Sequence, residues 1–185
     1  TIIEGFTIAG GYSILGGGMN NYYSSPTLTN CIFTNSTSLQ LGGGMYNWNS
    51  NPTLINCEFT GNTALDGGGG MFNSYSSPTL TNCIFTHSTA LQLGGGMYNS
   101  SSNPTLTFCT FESNSATYGG GMYGDAGSNP TLTNCTFTNN IAANAGGGMQ
   151  NSDSSSPTLI DCTFTGNTAD KGGGMYNGNS SPTLI

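Results

Sequence analysis

Apolar side chains return along this chain at a fixed phase. Leu54, Cys57, Phe59 and Met71 occupy one stretch, and Leu80, Cys83, Phe85 and Met97 hold the same places in the next. Around Cys57 and Phe59 the pattern alternates with period two, which turns those residues inward and Glu58 and Thr60 outward in a short strand. Pro52-Thr53-Leu54-Ile55 reads as an earlier extended segment, opened by a proline of the kind a strand's first residue tolerates. Asn56 and Gly61-Asn62 read as corners. After Thr63-Ala64-Leu65-Asp66, the glycines 67–70 lead into a third segment at Met71-Phe72-Asn73.

The whole unit repeats. Pro26, Pro52, Pro78, Pro104, Pro130, Pro157 and Pro182 are spaced by 26, 26, 26, 26, 27 and 25 residues. Cys31, Cys57, Cys83, Cys109, Cys135 and Cys162 keep step with them, as do the methionines that close each Gly-rich run. Such a period marks a solenoid, whose units bury their apolar sides only against neighbours. With no 3.6-residue period, three short strands and three corners per unit predict an all-β parallel β-helix of about seven rungs of ~26 residues. Residues 1–185 form one domain, in which 1–18 are an atypical first rung and 19–185 the regular repeats. The chain opens and closes in mid-strand, as a piece of a longer solenoid would. Stacking predicts inner columns of Leu, Cys, Phe and Met, outer columns of Thr, and a corner ladder of Asn30, Asn56, Asn82 and Asn134 broken by Phe108 and Asp161.

Composition narrows the function. Charged residues make up 5% of the chain, with Lys171 the single basic one and a net charge of −7. Phosphate neutralisation needs clustered Lys and Arg, so nucleic acid is excluded as a partner, and anionic lipid is disfavoured. Low charge and many Gly, Ser, Asn and Thr resemble disorder, but disordered tracts do not keep apolar residues in register. No apolar run approaches the ~20 residues of a membrane span, so no membrane insertion is expected.

Candidate chemistry is sparse. A single column of cysteines suits buried small hydrophobes better than disulfides, because stacked side chains point the same way. No CxxC pair is present, and no cofactor or metal is expected. The eight carboxylates include no two in the same column of adjacent rungs, which disfavours an acid–base enzyme. Asp125 and Asp153 share a loop on adjacent rungs and are a weak Ca²⁺ candidate, short of ligands. His87 stands where other units have turn residues. Tyr22, Tyr23, Trp48 and Tyr75 cluster before the prolines, where aromatic faces stack on sugar rings. Thr27, Thr53, Thr79, Thr105, Thr131 and Thr158 form an outward column with a second column two residues on. This Thr-x-Thr array resembles the ice-binding faces of β-solenoid antifreeze proteins, although strand propensity alone also favours Thr.

Gly-Gly-Gly-Met resembles the Gly-Gly-Ala-Ile motif of the chlamydial polymorphic outer-membrane protein repeats. Their Phe-x-x-Asn motif matches Phe59…Asn62, Phe111…Asn114, Phe137…Asn140 and Phe164…Asn167, with Ser36 and Ser88 replacing the Asn in two units. The chain is similar over nearly its whole length to right-handed parallel β-helices of the pectate-lyase-like superfamily. The resemblance implies a right-handed coil and a surface-exposed adhesive passenger. The expectation is therefore a non-enzymatic extracellular or cell-surface stalk, fibre or passenger that contacts glycans or cells and self-associates end to end. Ice binding is the first alternative and a polysaccharide lyase or hydrolase the second.

Overall fold

In residues 53–74 four strands follow one another around the coil: Thr53–Ile55, Glu58–Thr60, Thr63–Ala64 and Met71–Ser74. Repeated along the computed structural model, which describes residues 1–185, they build four parallel sheets of eight, seven, six and seven strands. We call these A to D in chain order. Partners are equivalent residues of neighbouring rungs: Leu54 lies between Leu28 and Leu80, and Phe59 between Phe33 and Phe85. The result is a parallel β-helix, and no helix is long and apolar enough to cross a membrane.

Four strands per rung replace the three that the pattern predicts. The additional one belongs to sheet C. Thr63–Ala64 is two residues long and offers only Ala64 to the interior, so it carries no alternation to read. It exists because Thr37-Ser38 and Thr89-Ala90 pair with it on either side.

Single residues in the left-handed region make each corner. Asn56 (φ 52°) joins A to B, Gly61 (φ 64°) joins B to C, Gly68 (φ 67°) joins C to D, and Tyr75 (φ 48°) leads back to A. Asn and Gly adopt this conformation at low cost, bulky residues do not. The two glycines after Gly68 answer to crowding instead. A Cβ on Gly69 would lie 2.4 Å from the carbonyl oxygen of Gly95, and one on Gly70 would lie 2.8 Å from the ring of Phe85. The triple glycine is thus one corner and two close approaches to the next rung.

Inside, Leu, Cys, Phe and Met columns form one cluster of 21 buried residues. The Phe rings stack 4.6–4.8 Å apart and within 5° of parallel. All six cysteines are free. Cys83 Sγ donates to the carbonyls of Leu54 and Thr81, at 3.7 and 3.5 Å, and the other thiols repeat the pattern. Contact with the Cys109 thiol, ahead of burial, pushes the Cys135 thiol up to about 12.

The Phe-x-x-Asn motif has a structural reason. Asn114 is fully buried; its Nδ2 donates to the Phe85 carbonyl of the preceding rung at 2.9 Å, and its Oδ1 accepts from the Ser88 N–H at 3.0 Å. Asn62, Asn140 and Asn167 do the same for Phe33, Phe111 and Phe137. A second interior ladder runs up sheet D, where Asn21, Asn47, Asn73 and Asn99 pass amide hydrogen bonds of 2.8–2.9 Å along the axis. Outside, the corner ladder joins Asn30, Asn56 and Asn82 and stops at Phe108.

Candidate ligand-binding site

Sheet D delivers its strand ends to the corner before sheet A, and the aromatic residues gather there. Tyr22 and Trp48 are register partners at the ends of Met19–Tyr22 and Met45–Trp48. Tyr23 and Tyr75 occupy the corner itself, at φ 50° and 48°. Tyr22 meets Tyr23 edge to face at 4.7 Å, and Trp48 meets Tyr75 in the same manner at 5.5 Å. The three tyrosines are 59–68% exposed. All four residues expected from the sequence therefore lie on one strip crossing three rungs. Tyr23 and Tyr75 stand at a corner that is left-handed in every rung, as at Asn49 and Ser101, so the coil sets their backbone conformation.

The threonines form the array their spacing predicts. Thr27, Thr53, Thr79, Thr105, Thr131 and Thr158 are consecutive register partners on sheet A. Beside them run Thr29, Ile55, Thr81, Thr107, Thr133 and Ile160, in register on the same outer face. Rungs repeat every ~4.8 Å and the two columns stand about 7 Å apart.

The carboxylates do not converge. Glu58 lies between Ile32 and Ile84, whereas Glu112 lies two rungs on in the other outward column, between Thr86 and Thr138. Asp125 ends the strand Met122–Asp125, where its Oδ2 accepts a 2.9 Å hydrogen bond from the Tyr98 hydroxyl and its Oδ1 is buried without a partner. Burial raises the Asp125 pKa, and repulsion from Asp153 adds to the rise. Tyr98 is pushed up by burial and then by Asp125. No group of three His, Cys, Asp or Glu side chains is placed to hold a metal ion, and Ca²⁺ takes about six to eight oxygen ligands. Asp125 and Asp153 bring two carboxylates to neighbouring rungs, short of that number. His87 is a corner residue (φ 50°), its Nδ1 2.7 Å from Thr86 Oγ1.

One feature escapes the sequence reading. A cavity of about 470 Å³ opens beside sheet D in the sixth and seventh rungs, with Gln150 and Tyr176 on one side and Tyr118, Ala145 and Lys171 on the other. Its signal was present: the outward column of sheet D runs Asn20, Tyr46, Phe72, Tyr98, Tyr123, Gln150, Tyr176, and Gln150 is the one break after the first rung.

The family described as a right handed beta helix region matches residues 1–115 and 63–185, overlapping spans that together take in the whole chain. No curated protein matches it.

Proposed function

The chain belongs to the right-handed β-helix family, and from that premise we propose that it is a non-enzymatic structural and adhesive element of an extracellular or cell-surface protein. Its ladders make a stiff rod, and its aromatic strip meets surface glycans. The observation that carries this reading is the strip itself: Tyr22, Tyr23, Trp48 and Tyr75 converge on one corner, edge to face in pairs, with the three tyrosines largely exposed. Exposed ring faces are what the apolar side of a sugar stacks upon. The scatter of Glu58, Glu112, Asp66 and Asp170 supports a binding role over an acid–base one, which needs two groups placed on one bond.

A glycan array probed with the chain tests it. Signal is expected on at least one glycan class, and Trp48→Ala removes it; an unchanged array after that substitution overturns the strip as the contact.

A second reading rests on a different observation, the in-register Thr columns of sheet A. A flat, repeating, uncharged lattice of methyl and hydroxyl groups suits an ice plane. Thermal hysteresis that disappears on Thr79→Tyr supports ice binding, and none in the unaltered chain removes it.

A further inference from the structure

The cavity beside sheet D has a definite origin. Two columns border a groove on the outside of the coil. One is the ring column of sheet D, and the other is the edge of sheet C, where Leu41, Gly67, Leu93, Tyr118, Ala145 and Lys171 pair rung upon rung. From the second rung to the fifth the groove is filled by the protein's own rings. Tyr46, Phe72 and Tyr123 are buried although they face outward, and the Tyr98 ring lies against Gly67, where a Cβ would stand 2.6 Å from it. Consecutive rings from Tyr46 to Tyr123 sit 4.9–5.4 Å apart. In the sixth rung both columns shrink together, to Gln150 on one side and Ala145 on the other. The cavity at this place, open to solvent and about 470 Å³ in all, falls within the about 300–1,000 Å³ of small-molecule sites.

Gln150 is the second observation. It is 6% exposed and lines the cavity. Its Nε2 donates to Ser152 Oγ at 3.1 Å, while its Oε1 is buried without a partner. A buried carbonyl left unpaired is costly, and because Oε1 is shielded from solvent, a donor in the cavity reaches it only when the Gln150 side chain turns toward it.

We propose that this cavity binds a single neutral sugar ring. Tyr118 and Tyr176 supply aromatic surface for the apolar side of a pyranose. The polar lining mixes acceptors, in Asp153 and Asp170, with donors, in Lys171 and the amides of Asn144 and Asn179. Hydroxyl groups that each donate and accept match such a mixture. Two carboxylates against one ammonium repel uronic and sulfated sugars, and Lys171 opposes a cation. The site lies three rungs from the aromatic strip and does not depend on it.

Ligand-observed NMR and calorimetry on the 185-residue chain test the proposal, with the methyl glycosides of glucose, galactose and mannose, with N-acetylglucosamine, and with glucuronate for contrast. At least one neutral sugar binds saturably with a Kd on the order of 1 mM. Gln150→Leu weakens it about tenfold by removing the acceptor. Gln150→Tyr abolishes it by restoring the ring column; since tyrosine already stands at positions 46, 98, 123 and 176, this variant keeps its circular dichroism and melting temperature. Trp48→Ala leaves this binding unchanged. The proposal is overturned if no neutral sugar saturates up to about 50 mM, far above that Kd, or if glucuronate binds as tightly. It is equally overturned if binding survives Gln150→Tyr; loss with Trp48→Ala instead assigns the sugar to the strip.

Discussion

Asn114 shows how one side chain can hold two rungs together. Its amide closes the Phe85 carbonyl and the Ser88 N–H, both inside the coil where no water substitutes. Asn114→Ala leaves both groups unpaired and is expected to cost about 3 kcal/mol, measured by urea unfolding. The Asn is visible in the sequence as a motif, but its partner is not, because the Phe it serves belongs to the preceding rung. The cysteines are similar. Their burial follows from their phase, whereas their chemistry follows from what stacks on them. The Cys135 thiol, pushed up from 9.0 to about 12, favours the protonated form when folded. Its stabilisation is complete below pH 9.0, the unfolded value, and is lost as pH rises toward about 12. The melting temperature should therefore fall across that window, and thiol reagents should label the five buried cysteines at pH 8 only once the chain unfolds, with pH 8 chosen about one unit below the free thiol.

Single strands of three or four residues have no stability of their own, and the ladders that cross them supply it. The interior Asn ladder of sheet D shows the consequence of a missing step. Gly124 stands between Asn99 and Asn151, so Asn99 Nδ2 has no partner. A Cβ at Gly124 would meet nothing nearer than 3.7 Å. Gly124→Asn should complete the ladder from Asn99 to Asn151 and raise the unfolding free energy by about 1–2 kcal/mol, through one or two buried amide bonds and a stiffer unfolded chain. A lower melting temperature would show that the gap is not an empty step. Sheets A, B and D were legible at this scale because each strand carries an inward Leu, Phe or Met that returns at the same phase in every regular repeat. Sheet C was not, since Thr63–Ala64 presents no contrast and is imposed by its neighbours' backbone.

For the whole molecule, the repeat makes stability close to a sum over rungs and their interfaces. Deleting residues 79–104, one period of 26, rejoins equivalent positions and should leave a folded, shorter coil with the same circular dichroism per residue. Deleting 79–91 puts every later ladder out of phase and should abolish cooperative folding. The stacking, the inward columns, the Thr array and the four residues of the aromatic strip were all determined by sequence. Periodicity fixes which residues share a column, and parallel in-register pairing then sets equals above equals. Tertiary structure alone decided the fourth sheet, the partners of the buried amides, and the cavity at Gln150. Those depend on contacts between columns in different sheets, whose distance around the coil is set by corner geometry and by the bulk of side chains far apart in the chain. Seven rungs that read almost alike thus differ where Ala145 and Gln150 leave room between two columns, and no spacing along a single column reveals that coincidence.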